Sequence, residues 1–318
     1  MLIFLICGKI FSASLKSYFF TFRKKLQVLG IKKSIRFITL KSVGSYINFL
    51  SYVRPQKAVE LSYALFSQPR IGRLQKEALP KVLKNTETET FHHNEHHFQT
   101  YVWKGNETKI LLVHGWESNA ARWKKTLPHL QKSGSTIIAI DAPAHGQSSG
   151  KEFNVPLYAE FINKAVEKYK PEIIIGHSIG GAACVYHQYL FPNTSINKMV
   201  ILGAPSELKT LIDNYISMLS LNSKIFSLLE TKFMDRFNFK LEDFSGQKFA
   251  SEFNVAGLIA HDTSDKIVAF EEGKKIASNW KNSQFVETSG LGHGMHDDEL
   301  YDKVIEFLFS EGSEPLSR

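Results

Sequence analysis

Ser178, Asp265 and His293 have side chains that could together carry out nucleophilic catalysis. A serine hydroxyl is a weak nucleophile until a base removes its proton, and histidine is the usual base. The histidine in turn needs an acidic group that fixes its tautomer and orientation, which an aspartate supplies. Residues so far apart in the chain can meet only if the fold brings their loops together.

The segment around Ser178 predicts a strand, a sharp turn and a helix. A β-branched run at residues 173–175 leads into Gly-His-Ser-Ile-Gly at residues 176–180, and small residues and helix formers follow. Gly176 and Gly180 permit a crowded backbone and close packing of helix on strand, which would expose the serine hydroxyl above the sheet edge. Negative charge that develops there is stabilised by the helix N-terminus.

Strands and helices alternate from residue 110 onward. Strands are expected at residues 110–113, 136–140, 173–175, 198–203, 255–261 and 284–287, and helices at residues 120–131, 158–168, 179–190, 271–277 and 298–309. This alternation is typical of a parallel sheet covered by helices on both faces. The carboxyl ends of parallel strands meet at one edge, so loops after later strands should bring Asp265 and His293 to Ser178.

Other side chains compete for the roles of acid and base. Asp262 lies in the same loop as Asp265, and Glu207, after an earlier strand, is a less favoured acid. His296 competes with His293 for the role of the base. Residue types and loop positions alone leave these choices open.

The motifs resemble those of the α/β-hydrolase superfamily over residues 86–309. The matching pieces are His-Gly-Trp at residues 114–116, an Asp-x-x-x-His-Gly-x-Ser run at residues 141–148, the turn at residues 176–180, Asp265, and Gly-His at residues 292–293. The resemblance implies Asp265 as the acid and His293 as the base. It also implies that the backbone N–H groups of Trp116 and Ile179 form the oxyanion hole.

Three further polar residues of these motifs are expected to have structural roles and not to transfer protons. His114 and His145 are expected to brace loops through hydrogen bonds, and Asp141 is expected to be a structural loop residue. An aspartate nucleophile, as in related dehalogenases and epoxide hydrolases, is excluded by Ser178. No metal, nucleotide or redox cofactor is implied.

The sequence therefore predicts a serine hydrolase of the α/β-hydrolase fold that cleaves a carboxylic ester or thioester. The alternatives are a noncatalytic hydrolase-fold protein that binds a ligand, and a peripheral-membrane lipase. Esterases, thioesterases, amidases and carbon–carbon bond hydrolases share this fold and triad, so the sequence does not select one substrate.

Residues 206–253 interrupt the alternation with apolar residues at helical spacing, which predicts a helical lid. Its Leu and Phe side chains could line a pocket for an apolar acyl group, or they could form only the core of the lid. Both interpretations are retained. A small-molecule ester or thioester with an apolar acyl group is the expected substrate.

Residues 1–75 are expected to form a basic, aromatic-rich, helical N-terminal arm, followed by the hydrolase domain at residues 76–318. Residues 1–59 contain eleven Lys and Arg and no Asp or Glu, although the whole chain carries only +8. The favoured interpretation is a pair of helices that pack on the domain. The alternative is an arm on an anionic membrane surface, whereas nucleic-acid binding is disfavoured because no binding motif accompanies the charge.

The cysteine content and the start of the chain favour a reducing, cytoplasmic location, with peripheral membrane attachment as an alternative. Cys7 and Cys184 do not make a disulfide framework. The apolar first residues have no positive region before them and are interrupted by Lys9. Neither a signal peptide nor a transmembrane span is therefore expected.

Residues 86–103 alternate in polarity around Asn94 and Glu95, which predicts a hairpin with a two-residue turn. Four histidines, at positions 92, 93, 96 and 97, raise the hypothesis of a metal site. Alternation points at most half of them to one face, and no Cys or Asp completes a set. Surface histidines are the favoured interpretation.

Overall fold

The structure is a computed structural model that describes residues 34, 35, 37–192 and 195–310. The apolar start, Cys7 and most basic residues of the arm lie outside the described residues, so the expectations for them stay predictions. None of the described helices is both long enough and apolar enough to cross a membrane. The chain divides into two compact units, of which one contains the described residues up to Ser62 and Asp213–Leu228, and the other contains the rest.

The larger unit is built on a sheet of eight strands. The strands are β1 (Glu87–His93), β2 (His96–Trp103), β3 (Asn106–Val113), β4 (Ser135–Ile140), β5 (Ile173–His177), β6 (Lys198–Leu202), β7 (Ala256–Asp262) and β8 (Ser283–Thr288). Their order across the sheet is β1-β2-β4-β3-β5-β6-β7-β8. The pairs β1/β2 and β2/β4 are antiparallel, and all pairs from β4 to β8 are parallel. The predicted mostly parallel sheet is thus confirmed.

The helices lie between these strands and at both ends of the described chain. They are α1 (residues 37–53), α2 (Pro55–Ser67), α3 (Lys81–Lys84), α4 (Leu127–Gln131), α5 (Val155–Tyr169), α6 (Ile179–Leu190), α7 (Leu208–Leu219), α8 (Ser223–Phe237), α9 (Gly246–Ala250), α10 (Phe270–Asn279) and α11 (Asp298–Phe309). Short 3₁₀ turns occur at Lys76–Ala78, Ala120–Lys124 and Gly292–Gly294.

The continuous helix predicted over residues 120–131 is wrong. A 3₁₀ turn at Ala120–Lys124 is followed by the separate short helix α4. The physical reason is Pro128, which lies in the first turn of α4. Proline has no N–H and its ring clashes with the carbonyl four residues earlier, so a helix can begin at this point but cannot pass through it.

The central strands are buried on both faces. Leu111 and Val113 of β3 pack into a core with side chains of α5 and α6. Ile110 and Leu112 point to the opposite face, into a core with α4 and α11. Because successive residues alternate between two cores, such strands read as continuous apolar runs rather than as polar–apolar alternation.

The predicted hairpin is confirmed. His92 pairs with His97 and His93 with His96 across the turn. Asn94 in this turn has a φ of 51°. His92 and His97 are exposed, whereas His93 and His96 are half-buried. Over the described ranges, no group of three or more His, Cys, Asp or Glu side chains could hold a metal ion.

Helices α7, α8 and α9 lie between β6 and β7, where the sequence predicts the helical insertion. The start of this insertion is fixed by Glu272 of α10, whose buried carboxylate accepts the backbone N–H groups of Ser206 and Glu207, each at 3.0 Å. Lys275 Nζ lies 2.5 Å from the other Glu272 oxygen. The first residues of the insertion are therefore tied to α10 through a carboxylate whose hydrogen-bonding groups are satisfied.

Candidate active site

Ser178 occupies a strained turn between β5 and α6. Its φ of 56° and ψ of −133° are unusual for a residue with a side chain. A Cβ atom at Gly180 would collide with the His114 carbonyl, and one at Gly176 would lie 2.6 Å from the Cα of Gly181. Only glycine lets α6 begin this close to the strands, so the turn predicted from the sequence forms because of these two positions.

The structure brings the three predicted residues into one hydrogen-bonded series. His293 Nε2 lies 2.9 Å from Ser178 Oγ, and His293 Nδ1 lies 2.7 Å from Asp265 Oδ2. A neutral imidazole with its proton on Nδ1 donates to Asp265 and accepts from the serine hydroxyl. This is the tautomer that a general base for Ser178 needs.

Asp265 is held rigidly behind the imidazole. Its side chain is fully buried. Its second oxygen, Oδ1, accepts the backbone N–H groups of Ile267 at 2.8 Å and Val268 at 3.0 Å. The loop after β7 therefore fixes the carboxylate through its own backbone, which leaves Oδ2 directed at His293.

Asp262, the competing acid, braces the loops instead. Its Oδ2 accepts the Thr288 hydroxyl and the Leu291 N–H, both at 2.9 Å, and its Oδ1 accepts the Ser264 N–H. Burial acts to raise the pKa of Asp262, but these donors outweigh it and hold the pKa below its ordinary value. The carboxylate thus joins β7 to the segment that leads to His293.

The other two competitors also have separate partners. His296 Nδ1 lies 2.6 Å from the Tyr301 hydroxyl, and burial lowers the pKa of His296 to about 4. Glu207 accepts the hydroxyls of Ser206 and Ser245 at 2.6 and 2.8 Å. None of these bonds joins His296 or Glu207 to Ser178, Asp265 or His293.

The loop after β3 runs directly beside the nucleophile. A Cβ atom at Gly115 would lie 2.8 Å from the Ser178 Cβ and 3.3 Å from its Oγ. Trp116 is the next residue of this loop, and Ile179 is the first residue of α6, whose N–H has no acceptor within the helix. Both predicted oxyanion-hole donors therefore belong to backbone that adjoins Ser178.

Two neutral histidines fix this loop, as the sequence predicts. The fully buried His114 accepts the Ala142 N–H at 3.0 Å through Nε2 and donates to the Gly115 carbonyl at 2.8 Å through Nδ1. His145 accepts the Glu117 N–H at 2.9 Å. Desolvation lowers the pKa of His114 to about 3 and that of His145 to about 4. Both rings are therefore neutral near pH 7 and serve as hydrogen-bonding groups for the loop.

Asp141 is a structural loop residue, as predicted. Its buried carboxylate accepts the Ala120 N–H, the Gln147 N–H and the Tyr101 hydroxyl, each at 2.9 Å. Desolvation raises the pKa of Asp141 and these hydrogen bonds oppose the rise. The carboxylate thereby ties the loop after β4 to the 3₁₀ turn at Ala120–Lys124.

Two residues that the sequence analysis missed hold the backbone around His293. His177 Nε2 lies 2.8 Å from the His293 carbonyl oxygen, and Arg122 Nη2 donates to the Gly294 carbonyl at 2.9 Å. Burial lowers the pKa of Arg122 to about 10, so the guanidinium remains charged at neutral pH. Both acceptors are backbone carbonyl oxygens, and because every residue has one, no residue type in the sequence identifies them.

Sequence comparisons agree with this architecture. A family model described as alpha/beta hydrolase fold matches residues 109–254. A probable serine hydrolase of Drosophila melanogaster is 31% identical over 31% of this chain and 32% of its own length. A bifunctional esterase/perhydrolase of Acinetobacter calcoaceticus is 24% identical over 60% of this chain and 86% of its own length. The chain spans about a third or less of the first curated relatives that it matches.

The fold also matches solved structures. A bromoperoxidase from Bacillus anthracis superposes with a TM-score of 0.55 and 19% sequence identity. The match covers 70% of this chain and 99% of the bromoperoxidase. A similarity at this level of identity shows the fold alone.

Proposed function

We propose that this chain is a serine hydrolase of the α/β-hydrolase superfamily, whose family model matches residues 109–254, and that it cleaves a carboxylic ester or a thioester through an acyl-serine intermediate. The observation that carries the proposal is the continuous hydrogen-bonded series from Ser178 through His293 to Asp265. The similar fly and bacterial proteins are named a serine hydrolase and an esterase, which supports the same reaction class.

In the acylation step, Ser178 Oγ attacks the acyl carbonyl carbon while His293 Nε2 takes the hydroxyl proton. The carbonyl oxygen becomes an oxyanion, which accepts the backbone N–H groups of Trp116 and Ile179. Asp265 stabilises the imidazolium that forms. When the intermediate collapses, the bond to the alcohol or thiol breaks and His293 returns its proton to that leaving group.

In the deacylation step, a water molecule attacks the acyl-serine carbonyl. His293 Nε2 removes a proton from the water, and the same two N–H groups stabilise the second oxyanion. Collapse of this intermediate releases the carboxylic acid and restores the Ser178 hydroxyl. One ester or thioester and one water are thereby converted into an acid and an alcohol or thiol.

The side chains beside the nucleophile favour an apolar acyl group. Trp116 and Ile179, which belong to the backbone that adjoins Ser178, are partly buried and pack against one hydrophobic core. The Trp116 indole makes an edge-on contact with Phe153, with ring centroids 5.6 Å apart. An acyl chain bound against these residues would remove apolar surface from water, which favours aliphatic over charged acyl groups.

Labelling with a fluorophosphonate probe tests the reaction class. The wild-type protein and a Ser251→Ala control should label, because Ser251 is an exposed serine at the end of α9, whereas Ser178→Ala should not. Failure of the wild type to label, or undiminished labelling of Ser178→Ala, would overturn the proposal and favour a noncatalytic ligand-binding protein.

A panel of p-nitrophenyl esters of increasing chain length, measured beside the matching acyl thioesters, tests the substrate class. We expect kcat/KM to rise with chain length over the short acyl groups. A preference for acetyl or for a charged acyl group would contradict the proposed apolar pocket.

A further inference from the structure

Helix α1 of the smaller unit packs on the loop between α7 and α8 through one face. Ile47 and Leu50 on this face are buried. A Cβ atom at Gly44 would overlap the Leu219 carbonyl at the end of α7, so the two backbones approach closely only because residue 44 is glycine.

Polar contacts fix how α1 is turned about its axis. Lys41 Nζ donates to the Ser217 and Met218 carbonyls at 3.3 and 3.2 Å, where a positive charge stabilises the C-terminal end of α7. Asn48 donates to the Ser220 carbonyl at 2.8 Å and accepts the Asn222 N–H at 2.9 Å. The opposite face of α1 is consequently held away from this loop.

That opposite face is apolar and exposed. At 100° per residue, positions 38, 42, 45, 49 and 52 form one stripe on the side away from Ile47, and of these only Ser42 and Ser45 are polar. The large apolar side chains along and beside this stripe are each more than half exposed: Ile38, Tyr46, Phe49, Tyr52 and Val53. A surface helix normally directs charged and polar residues outward, so α1 has an apolar outer face that requires a partner.

The charge of the surrounding chain indicates which partner fits. Residues 1–59 carry eleven Lys and Arg and no Asp or Glu. A second copy would bring an equally basic segment against this face and would be repelled, whereas an anionic surface would be attracted. Lys224 Nζ lies 5.0 Å from the Tyr52 ring centroid, so a cation stands beside the exposed aromatic residues.

We propose that the outer face of α1 (Ile38, Tyr46, Phe49, Tyr52 and Val53) docks on the surface of a membrane that contains anionic lipids. The rings of Phe49 and Tyr52 enter the headgroup region, and neighbouring Lys and Arg side chains pair with lipid phosphates. The membrane contact considered for the N-terminal arm is thus assigned to the outer face of α1, while the inner face of the same helix packs against protein. The proposal rests on residues other than those of the candidate active site.

Sedimentation of the full-length chain with vesicles tests this surface. We expect binding to phosphatidylcholine vesicles that contain one-quarter phosphatidylglycerol, and at least tenfold weaker binding to pure phosphatidylcholine or at high salt. The double variant Phe49→Ser with Tyr52→Ser should also bind the anionic vesicles at least tenfold more weakly. The matched control, Ile71→Ser with Leu190→Ser, changes exposed apolar residues of the larger unit and should bind as the wild type does.

A second measurement separates docking from charge attraction alone. Of the four tryptophans in the chain, at positions 103, 116, 123 and 280, none lies in α1. The emission of a Phe49→Trp variant should shift to the blue on addition of anionic vesicles and be quenched by brominated lipid. Unchanged binding of the double variant, absence of the shift, or a dimer that this variant dissociates would each overturn the proposal. Hydrolysis of p-nitrophenyl acetate by the double variant should equal that of the wild type, so the outcome does not depend on the proposed reaction.

Discussion

His177 hydrogen-bonds the backbone carbonyl oxygen of His293 through its Nε2, at 2.8 Å. Burial lowers the pKa of His177 well below its ordinary value, so the ring is neutral and its single proton must be on Nε2. The two rings lie 4.9 Å apart. The residue that precedes the proposed nucleophile therefore positions the proposed base.

Removal of this donor should slow the reaction without weakening substrate binding. In His177→Phe the ring volume remains but the N–H is lost, and a net hydrogen bond is worth about 1 kcal/mol. We expect kcat to fall about threefold to tenfold, with KM nearly unchanged. His177→Gln, which restores a donor, should recover most of kcat. Equal kcat values for His177→Phe and the wild type would contradict this positioning role.

The space beside Ser178 gives a second prediction. An alanine at position 115 would bring its Cβ to 2.8 Å from the Ser178 Cβ, so the loop that carries the Trp116 N–H must move. Loss of one oxyanion donor typically lowers kcat by about 100-fold or more, and we expect a fall of this order for Gly115→Ala.

Gly294→Ala is the matched control for that substitution. Position 294 follows the proposed base, but a Cβ there would lie 3.5 Å from the nearest neighbouring atom, His296 Cδ2, which is an ordinary contact. Its kcat should remain within about twofold of the wild-type value. A similar loss of activity in both variants would show that the site tolerates no added methyl group. It would contradict the specific effect proposed for a side chain at position 115.

Features that depend on residues close together in the chain could be predicted from the sequence. The Gly-His-Ser-Ile-Gly turn needs glycine at two fixed positions, and the hairpin alternates around Asn94 and Glu95. Apolar runs located the parallel strands because each is buried on both faces. Once the strands were placed, parallel-sheet geometry brought the loops of Asp265 and His293 to Ser178.

Features that depend on distant backbone atoms could not be predicted in this way. His177 and Arg122 act on carbonyl oxygens 116 and 172 residues away in sequence. Every residue has such an acceptor, so no residue type marks the partner. The helix predicted over residues 120–131 is instead broken before α4, because Pro128 can begin a helix but cannot continue one.

The two carboxylates after β7 should respond differently to the same substitution. Asp265→Asn removes the charge that stabilises the His293 imidazolium, and we expect kcat to fall by about 1,000-fold or more. The Leu291 and Ser264 N–H groups donate to different oxygens of Asp262. Asp262→Asn replaces one of these oxygens with an NH2 group, so one of the two donors loses its acceptor, and we expect a loss of about 1–3 kcal/mol in the free energy of unfolding.

Steady-state kinetics and urea unfolding of both variants at pH 7 separate these two roles. Comparable losses of kcat with unchanged stability in both would mean that Asp262, and not only Asp265, acts on the base. Loss of kcat in Asp262→Asn alone would mean that Asp262, and not Asp265, is the acid that supports His293.

Buried histidines should make the protein sensitive to acid. His187 of α6 is fully buried, and desolvation lowers its pKa to about 4, below the value of about 6.5 in an unfolded chain. The unfolded state therefore binds more protons, so the stability contributed by the neutral ring is present above pH 6.5 and is lost as pH falls toward 4. By pH 5 this loss amounts to about 2 kcal/mol for one histidine.

His187→Gln cannot titrate, so its free energy of unfolding should fall by about 2 kcal/mol less than that of the wild type between pH 7 and pH 5. Urea unfolding at the two pH values measures this, with His97→Gln on the exposed hairpin face as the control whose pH dependence should match the wild type. An equal loss in His187→Gln and the wild type would mean that other groups cause the acid sensitivity.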